Sequence, residues 1–216
     1  LAKTANCTRM LCEKMRLTFT VHKGKIRISK CVCFVQTQRE DYGGNNNVRS
    51  KKVRLGICPI GWSNDDMWDL GDENTFQQCI SEMKLAGFDG CEVGHKYPED
   101  KTVLKHMLDV RNMTIASKWF SSFLVDKPYE EVEAEFIKEL DYLSYVGATA
   151  INVSEQSGSI QGQLDTPVLD DKKRVLTDEE WDRFTTGLNK LGKLSMEKYG
   201  IRTCFHHHMG TVCQTV

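Results

Sequence analysis

The sequence predicts an α/β fold, a TIM (β/α)8 barrel truncated after about five βα units. From Val53 onward, five short β-rich runs alternate with four amphipathic helical stretches. Such alternation is typical of parallel strands joined by right-handed crossovers. One face of each strand begins with small residues and becomes polar toward the C-terminal end. A barrel with an active site at its mouth has this pattern, whereas a doubly wound open sheet, the alternative, would need two apolar faces.

The individual elements follow from local patterns. The β-rich runs are expected to form strands, and they cover 53–58, 88–93, 114–119, 149–154 and 201–206. The stretches between them have helical periodicity, and they cover 74–85, 101–110, 129–146 and 178–198. Thr177 and Glu180 form a capping box at the start of the last helix. Gly87, Gly147 and Gly200 each follow a helix just before the next strand, as C-cap glycines do.

The number of units falls short of a closed barrel. A complete barrel of this class needs about 250 residues and eight βα units. Only five units follow residue 52, and the chain ends at Val216, just past the fifth predicted strand. We therefore expect three βα units to be missing, which would leave two strand edges exposed. The chain also starts without Met or a signal-peptide pattern, as an incomplete protein would.

Residues 1–52 differ in composition from the rest of the chain. They carry 12 Lys/Arg and 3 Asp/Glu, a net charge of +9, whereas residues 53–216 carry 17 basic and 27 acidic residues, a net of −10. The alternating residues 23–30 suit a short strand, and 41–47 are typical of a turn-rich linker. We expect 1–52 to be a basic extension, disordered or foreign to the barrel, and 53–216 to be a partial barrel. A basic arm for nucleic acid or an anionic membrane is the alternative.

The cysteines indicate a reducing compartment. The 9 cysteines are scattered without a Cys-x-x-Cys motif, and Cys31 and Cys33 form the only close pair. This pattern favours reduced thiols, several of them buried, in a cytoplasmic protein. The sequence has no apolar segment long enough to span a bilayer, so no membrane partner is expected. The oligomeric state stays open, a homo-oligomer included.

Chemically active side chains cluster where the predicted strands end, and such ends converge on one site in a barrel. The set comprises strand-end residues and the loop residues next to them, namely Glu92, Lys118, Ser154, His206, Asn64, Asp65, Glu155 and Gln156. Carboxylates, an amine and an imidazole suit proton transfer next to a carbonyl. Glu92 has the alternative of a structural ion pair with Lys118 on the neighbouring strand. Glu155 has the alternative of a solvated carboxylate before a Gly/Ser/Gln-rich loop that offers amides and hydroxyls to a polyol.

Three consecutive histidines follow the fifth predicted strand. Imidazoles suit divalent transition metals such as Mn, Co or Zn. By strand parity His206 and His208 point the same way, so we expect them to be metal ligands; hydrogen-bonding or solvated histidines are the alternative. Trp62, Trp119 and Phe120 lie just past strand ends, where they would either wall the site or pack under the loops. The motifs GxGxxG, GxxxxGK[ST] and GxSxG are absent, which argues against nucleotide-dependent and serine-hydrolase functions.

Four segments together resemble the inosose dehydratase family. They are GICPIGWSNDDM (56–67), ENTFQQCISEMKLAGFDGCEVGHKYP (73–98), VSEQSGSIQGQ (153–163) and FHHHMGT (205–211). The resemblance runs from about Val53 to Val216, whereas residues 1–52 match nothing in the family. The family belongs to the xylose-isomerase-like TIM barrels, which agrees with the fold predicted from the strand and helix pattern.

This resemblance implies a hydro-lyase of myo-inositol catabolism that dehydrates 2-keto-myo-inositol (scyllo-inosose) to a trihydroxycyclohexane dione. It also implies a divalent metal, Mn or Co, and glutathione as a cofactor. Aligning strand ends with the superfamily places His206 where a metal-binding Glu usually lies. We expect Glu155 or Glu92 to transfer protons, Lys118 to bind the oxyanion or substrate, and His206 with His208 to bind the metal.

Three other functions stay open. A sugar isomerase or epimerase on the same barrel would share the enediolate step but keep the hydroxyl. Nucleic-acid processing, as in endonuclease IV-like enzymes of this fold, needs a basic surface, and the net charge of −10 over residues 53–216 argues against it. The chain as it stands is alternatively an inactive or partner-requiring fragment. The expected partner is therefore a small cyclic polyol ketone and no nucleic acid.

Overall fold

The structure is a computed structural model that describes residues 21–22, 25–26, 35–37, 53–163, 165–168 and 173–214. The chain divides into two units, one made of Leu1–Cys31 with Val216 and the other of Val32–Thr215. In the first unit, strands β1 (Val21–His22) and β2 (Lys25–Ile26) pair antiparallel. The predicted linker at 41–47 lies outside the described residues, and the proposed boundary after residue 52 stays a prediction.

The described residues of the second unit include a six-stranded sheet. Its strands lie in the order β3 (Val35–Thr37), β4 (Val53–Ile57), β5 (Gly90–Val93), β6 (Thr114–Ser122), β7 (Ala150–Glu155) and β8 (Arg202–Phe205). Strands β4 to β8 are parallel neighbours in chain order, and β3 pairs antiparallel with β4. A doubly wound sheet would reverse its strand order at a switch point. The unbroken order therefore confirms the prediction of a truncated barrel.

In the part of the chain that the structure describes, four α-helices join the parallel strands, as the sequence predicts. They are α1 (Phe76–Leu85), α2 (Lys101–Asp109), α3 (Tyr129–Val146) and α4 (Asp178–Leu194), and a π-helical turn, Ser195–Tyr199, extends the last one. The capping box of Thr177 and Glu180 is formed at the start of α4. Gly147 ends α3 with a φ of 77°, a left-handed conformation that favours glycine. Local capping signals therefore set the bounds of these helices.

The core lies between the sheet and the helices. Apolar strand residues such as Ile115, Phe120 and Ile151 are buried, and Phe120 packs edge-on against Phe136 of α3. The helices contribute further fully buried side chains, among them Ile80, Met83, Leu104, Leu108, Leu140, Phe184 and Leu191. Each such burial contributes about 1.5–3 kcal/mol. Among the described residues, no helix combines the length and apolar character needed to cross a membrane.

A β-bulge between β5 and β6 changes which side chains face the inside of the curved sheet. Cys91 lies opposite Ile115, but the next residue, Glu92, lies opposite Ser117, so Ala116 is an extra residue on β6. An extra residue shifts the alternation of a strand by one position, which moves the following side chains to the other face. Beyond the bulge, Ser117 and not Lys118 lies on the side of Glu92.

Candidate active site

Glu92 is the centre of a hydrogen-bonded cluster on the inner face of the sheet. Its Oε1 accepts hydrogen bonds from Asn152 Nδ2 on β7 at 2.7 Å and from Ser117 Oγ on β6 at 3.1 Å. Asn152 Nδ2 also donates to Ser117 Oγ at 3.3 Å. Three parallel strands thus each contribute one side chain, and the cluster holds the Glu92 carboxylate in a defined orientation. We call Glu92, Ser117 and Asn152 the carboxylate cluster.

The thiol of Cys58 lies beside this cluster at the end of β4. The residue as a whole is exposed, but burial of the thiol group raises its pKa to about 12, and the carboxylates of Glu92 and Asp65 add to that rise. The thiol is therefore protonated at neutral pH and faces Glu92 as a neutral neighbour. Asp65 and Glu92 are therefore both within electrostatic range of the Cys58 thiol.

Trp119 and two histidines form the wall on the other side of the cluster. The Trp119 ring lies 5.1 Å from the ring of His206, with planes at 67°, and 5.5 Å from that of His208, with planes at 80°. Burial, followed by the neighbouring His208 and His207, holds the pKa of His206 below its ordinary value, while Glu92 opposes this shift. The His206 imidazole is therefore neutral at neutral pH and lies within the electrostatic reach of Glu92.

The structure contradicts the predicted position of Lys118. Its ammonium group forms an ion pair with Glu139 of α3 and lies 5.1 Å from the centre of the Tyr142 ring, also on α3. The predicted ion pair with Glu92 is therefore wrong, because the bulge at Ala116 turns Lys118 to the helix side of the sheet. The Lys118 ammonium group therefore lies on the helix side of the sheet, away from the carboxylate cluster.

Glu155 is also placed differently from the prediction. It is the last residue of β7 and is 0% exposed. Its Oε2 accepts from Ser122 Oγ at 2.6 Å and from the Leu124 backbone N–H at 3.0 Å, and its Oε1 accepts from the Ser157 N–H at 3.2 Å. The alternative of a solvated carboxylate is wrong. These three bonds hold the ends of β6 and β7 together, whereas Glu92 is the carboxylate of the inner-face cluster.

Other predicted residues lie at the rim or outside it. Trp62 does not wall the site, because its indole N–H donates to Glu82 of α1 at 2.7 Å. Asn64 Oδ1 accepts from two backbone N–H groups of its own loop at 2.8 and 2.9 Å, so this side chain shapes the loop. Ser154 is buried on β7, and its hydroxyl accepts from Gln156 Nε2 at 3.1 Å.

Asp65 forms a pair that the sequence analysis missed. Its Oδ1 lies 2.6 Å from Nδ1 of His95 and accepts the His95 backbone N–H at 3.2 Å. The Trp68 ring stacks on the His95 ring, with centres 5.2 Å apart and planes 2° from parallel. His95 Nε2 lies 3.4 Å from Ser63 Oγ. The available signal was a histidine just past β5 and an aspartate in the loop after the neighbouring strand β4.

Contacts between loops close the rim around these residues. Gln161, in the loop after β7, donates through Nε2 to Asp66 Oδ1 in the loop after β4 at 2.8 Å. The neighbouring Ile160 N–H donates to the Gly210 carbonyl, in the loop after β8, at 2.9 Å. The loop after β7 therefore bridges the loops at the two sides of the site.

The predicted metal ligands are close together but do not complete a metal site. The rings of His206 and His208 lie 5.7 Å apart. Within the described ranges, no group of three or more His, Cys, Asp or Glu side chains is arranged to hold a metal ion. Two imidazoles alone do not fit a stable centre, because transition metals in proteins generally take three or more protein ligands.

Comparison with curated proteins identifies homologues over about three quarters of the chain. It is 59% identical over 168 residues to the inosose dehydratase of Clostridium beijerinckii, a match that covers 78% of this chain and 56% of that protein. It is 58% identical over 167 residues to the inosose dehydratase of Geobacillus thermodenitrificans, covering 77% and 55%. The chain thus spans about half the length of the curated relatives it matches. No protein-family model matches it.

Solved structures with low sequence identity share the fold. A probable 3-DHS dehydratase, AsbF, from Bacillus anthracis has a TM-score of 0.52 at 11% identity, covering 73% of this chain and 53% of that one. A xylose isomerase-like TIM barrel protein from Mycobacterium smegmatis, in complex with magnesium, has a TM-score of 0.52 at 15% identity. The match covers 75% of this chain and 57% of that one. The IOLI protein with a zinc atom has a TM-score of 0.54 at 13% identity, and the match covers 76% of this chain and 55% of that one. These likenesses agree with a partial barrel.

Proposed function

We infer that this chain belongs to an inosose dehydratase, a hydro-lyase that removes water from 2-keto-myo-inositol to give a trihydroxycyclohexane dione. Its high identity to curated inosose dehydratases supports the assignment. The observation that carries the chemistry is the carboxylate cluster, because elimination next to a ketone needs a positioned group that takes up the α-proton. The substrate is a small cyclic polyol ketone, and the cytoplasmic location predicted from the cysteines is part of this proposal.

Glu92 is the proton acceptor in this proposal. Asn152 and Ser117 both donate to Oε1, which orients the carboxylate beside the Cys58 thiol. We assign the uptake of the substrate proton to Oε2. The α-proton of the ketone moves to Glu92 while the carbon–carbon double bond of the enediol begins to form. Gln156, which is partly exposed and held by the buried Ser154 hydroxyl, offers an amide to the ring hydroxyls.

Trp119 and His206 bound the space in which the ring would lie. An aromatic face suits the apolar C–H face of a cyclic polyol, and the two imidazoles next to it offer hydrogen bonds to hydroxyl groups. In this proposal Glu155 has a positioning role, because its three hydrogen bonds fix the ends of the strands that carry Trp119 and Ser154.

A divalent metal, Mn or Co, and glutathione are the cofactors that the resemblance implies. His206 and His208 are the two imidazoles that would contact such a metal, and a stable centre would need at least one further protein ligand. When bound, a metal of this kind polarises a ketone oxygen and stabilises the enediolate. Glutathione and a homo-oligomeric state stay predictions from the sequence.

The test is product analysis with scyllo-inosose on the wild-type chain and two variants. We expect the wild type to release one water per substrate, Glu92→Gln to slow this about 10²-fold or more, and Lys118→Gln to keep the wild-type rate. Lys118→Gln is the matched control because it changes a charged residue on the helix side of the sheet. A product of unchanged mass would support an isomerase or epimerase instead, and no reaction by the wild type would reject the proposal.

A further inference from the structure

His95, in the loop after β5, is held by three neighbouring side chains. Asp65 Oδ1 lies 2.6 Å from Nδ1 and also accepts the His95 backbone N–H. The Trp68 ring covers one face of the imidazole with planes 2° from parallel. Ser63, only 4% exposed, places its hydroxyl 3.4 Å from Nε2. Asp65, His95 and Ser63 therefore form a chain of polar groups with one defined direction.

The polar groups of Asp65, His95 and Ser63 lie next to the carboxylate cluster. His95 follows Glu92 by three residues at the carboxyl end of β5. The carboxylates of Asp65 and Glu92 are both close enough to the thiol of Cys58 to raise its pKa. At Gly94 an added Cβ would lie 2.6 Å from Pro59 Cγ, which means that only glycine lets this segment approach the loop after β4 so closely.

The contacts decide which nitrogen of His95 is available. A carboxylate accepts hydrogen bonds and cannot donate them, so Asp65 keeps the proton on Nδ1. Nε2 is then the nitrogen that exchanges a proton with a partner. Its contact with Ser63 is long, at 3.4 Å, which makes Ser63 a partner that a substrate hydroxyl can replace.

On the premise of the proposed dehydratase function, we propose that His95 is a second catalytic residue, which acts as the imidazolium and donates its Nε2 proton to the departing β-hydroxyl while Asp65 keeps the Nδ1 proton. Glu92 takes the α-proton as a carboxylate and becomes a carboxylic acid. The C–O bond breaks, the leaving hydroxyl takes the Nε2 proton, and water departs. The resulting enol becomes the dione by tautomerisation. Glu92 then returns a proton to solvent, and His95 takes one up, so the enzyme is regenerated without a further reactant.

Separate readouts for the two proton transfers test this assignment. The wild-type chain and its variants are incubated with scyllo-inosose in deuterated water. Deuterium in recovered substrate reports removal of the α-proton, and dione formation reports loss of the hydroxyl. We expect His95→Gln to slow dione formation about 10²-fold or more and to keep deuterium exchange near the wild-type rate. Glu92→Gln should lose both, and His106→Gln, a surface histidine on α2, should change neither.

The outcomes separate the two proposals. Dione formation by His95→Gln at the wild-type rate overturns the role of His95 and leaves the dehydratase assignment intact. If His95→Gln loses both deuterium exchange and dione formation, the proposed role of His95 is also overturned. His95 would then not act on the leaving hydroxyl alone. No reaction by the wild type rejects the dehydratase assignment itself.

A measurement on the wild-type chain covers the case in which His95→Gln does not fold. The ¹⁵N spectrum of the imidazole groups should show the proton of His95 on Nδ1 and a shift of its Nε2 signal when scyllo-inosose is added. A proton on Nε2 in the neutral form, or an Nε2 signal that the substrate does not move, would overturn the proposal. Asp65→Asn serves as the variant that should change the tautomer while His95 is retained.

Discussion

Replacement of Glu155 by Gln tests whether this buried carboxylate supports the fold. In the native protein it accepts three hydrogen bonds, from Ser122, Leu124 and Ser157, and it is 0% exposed. A glutamine offers one oxygen and one NH2 group. If its oxygen replaces Oε2, its NH2 group faces the Ser157 N–H, so one bond is lost and two donors oppose each other.

The size of the effect follows from these three bonds. A hydrogen bond to a charged group contributes about 1.5–3 kcal/mol and a neutral one about 0.5–1.5 kcal/mol, so one loss and two weakened bonds cost about 4 kcal/mol. Burial of a neutral amide instead of a charge offsets roughly half of this. We therefore expect Glu155→Gln to lower the free energy of unfolding by about 2 kcal/mol, which corresponds to a Tm lower by roughly 4–8 °C.

The assay is urea denaturation followed by far-UV circular dichroism, with Glu139→Gln as the matched control. The control makes the same chemical change in the partly exposed Lys118–Glu139 ion pair, and its cost should stay below about 1 kcal/mol. Equal midpoints for wild type and Glu155→Gln would refute the structural role. A stable Glu155→Gln variant that had lost α-proton exchange would return this residue to the catalytic group.

Two further perturbations give separate tests. Lys118→Met removes an ion pair on the helix side of the sheet. We expect the free energy of unfolding to fall by less than about 1 kcal/mol and dione formation to stay unchanged. A large fall in turnover would contradict the orientation of Lys118. Burial raises the pKa of Cys213 from 9.0 to about 12. The folded state therefore keeps a proton that the unfolded chain loses, so stability is full below pH 9 and falls as pH rises toward 12. Relative to Cys213→Ser, the free energy of unfolding of the wild type should fall by about 1.4 kcal/mol per pH unit between pH 9 and 12. Urea titrations at several pH values measure this difference. If stability depends on pH in the same way in both proteins, Cys213 is not the cause.

Local patterns in the sequence were enough to predict the alternating elements. The bounds of α3 match the predicted range of 129–146, and the capping box of Thr177 and Glu180 forms as expected. These features depend on residues a few positions apart, because helix periodicity and end-capping are satisfied within one element. The order of the parallel strands followed from the same alternation, since short crossovers place consecutive strands side by side.

The membership of the site depended on contacts between elements. Parity predicted Glu92 on the inner face correctly, since β5 has no extra residue before it. On β6 the same rule was wrong for Lys118, because the bulge at Ala116 arises from the pairing of β6 with β5. No pattern within a single strand reports such an extra residue, and one residue is enough to exchange the faces.

The sequence by itself therefore determined the kind of fold, the helix ends and the position of Glu92, because each rests on a repeat or a cap within one element. Only the tertiary structure decided that Glu155 is enclosed and that Asp65 meets His95, 30 positions apart in the chain. Whether a carboxylate is solvated, buried or paired depends on the atoms that surround it in space, and these come from strands and loops distant in sequence.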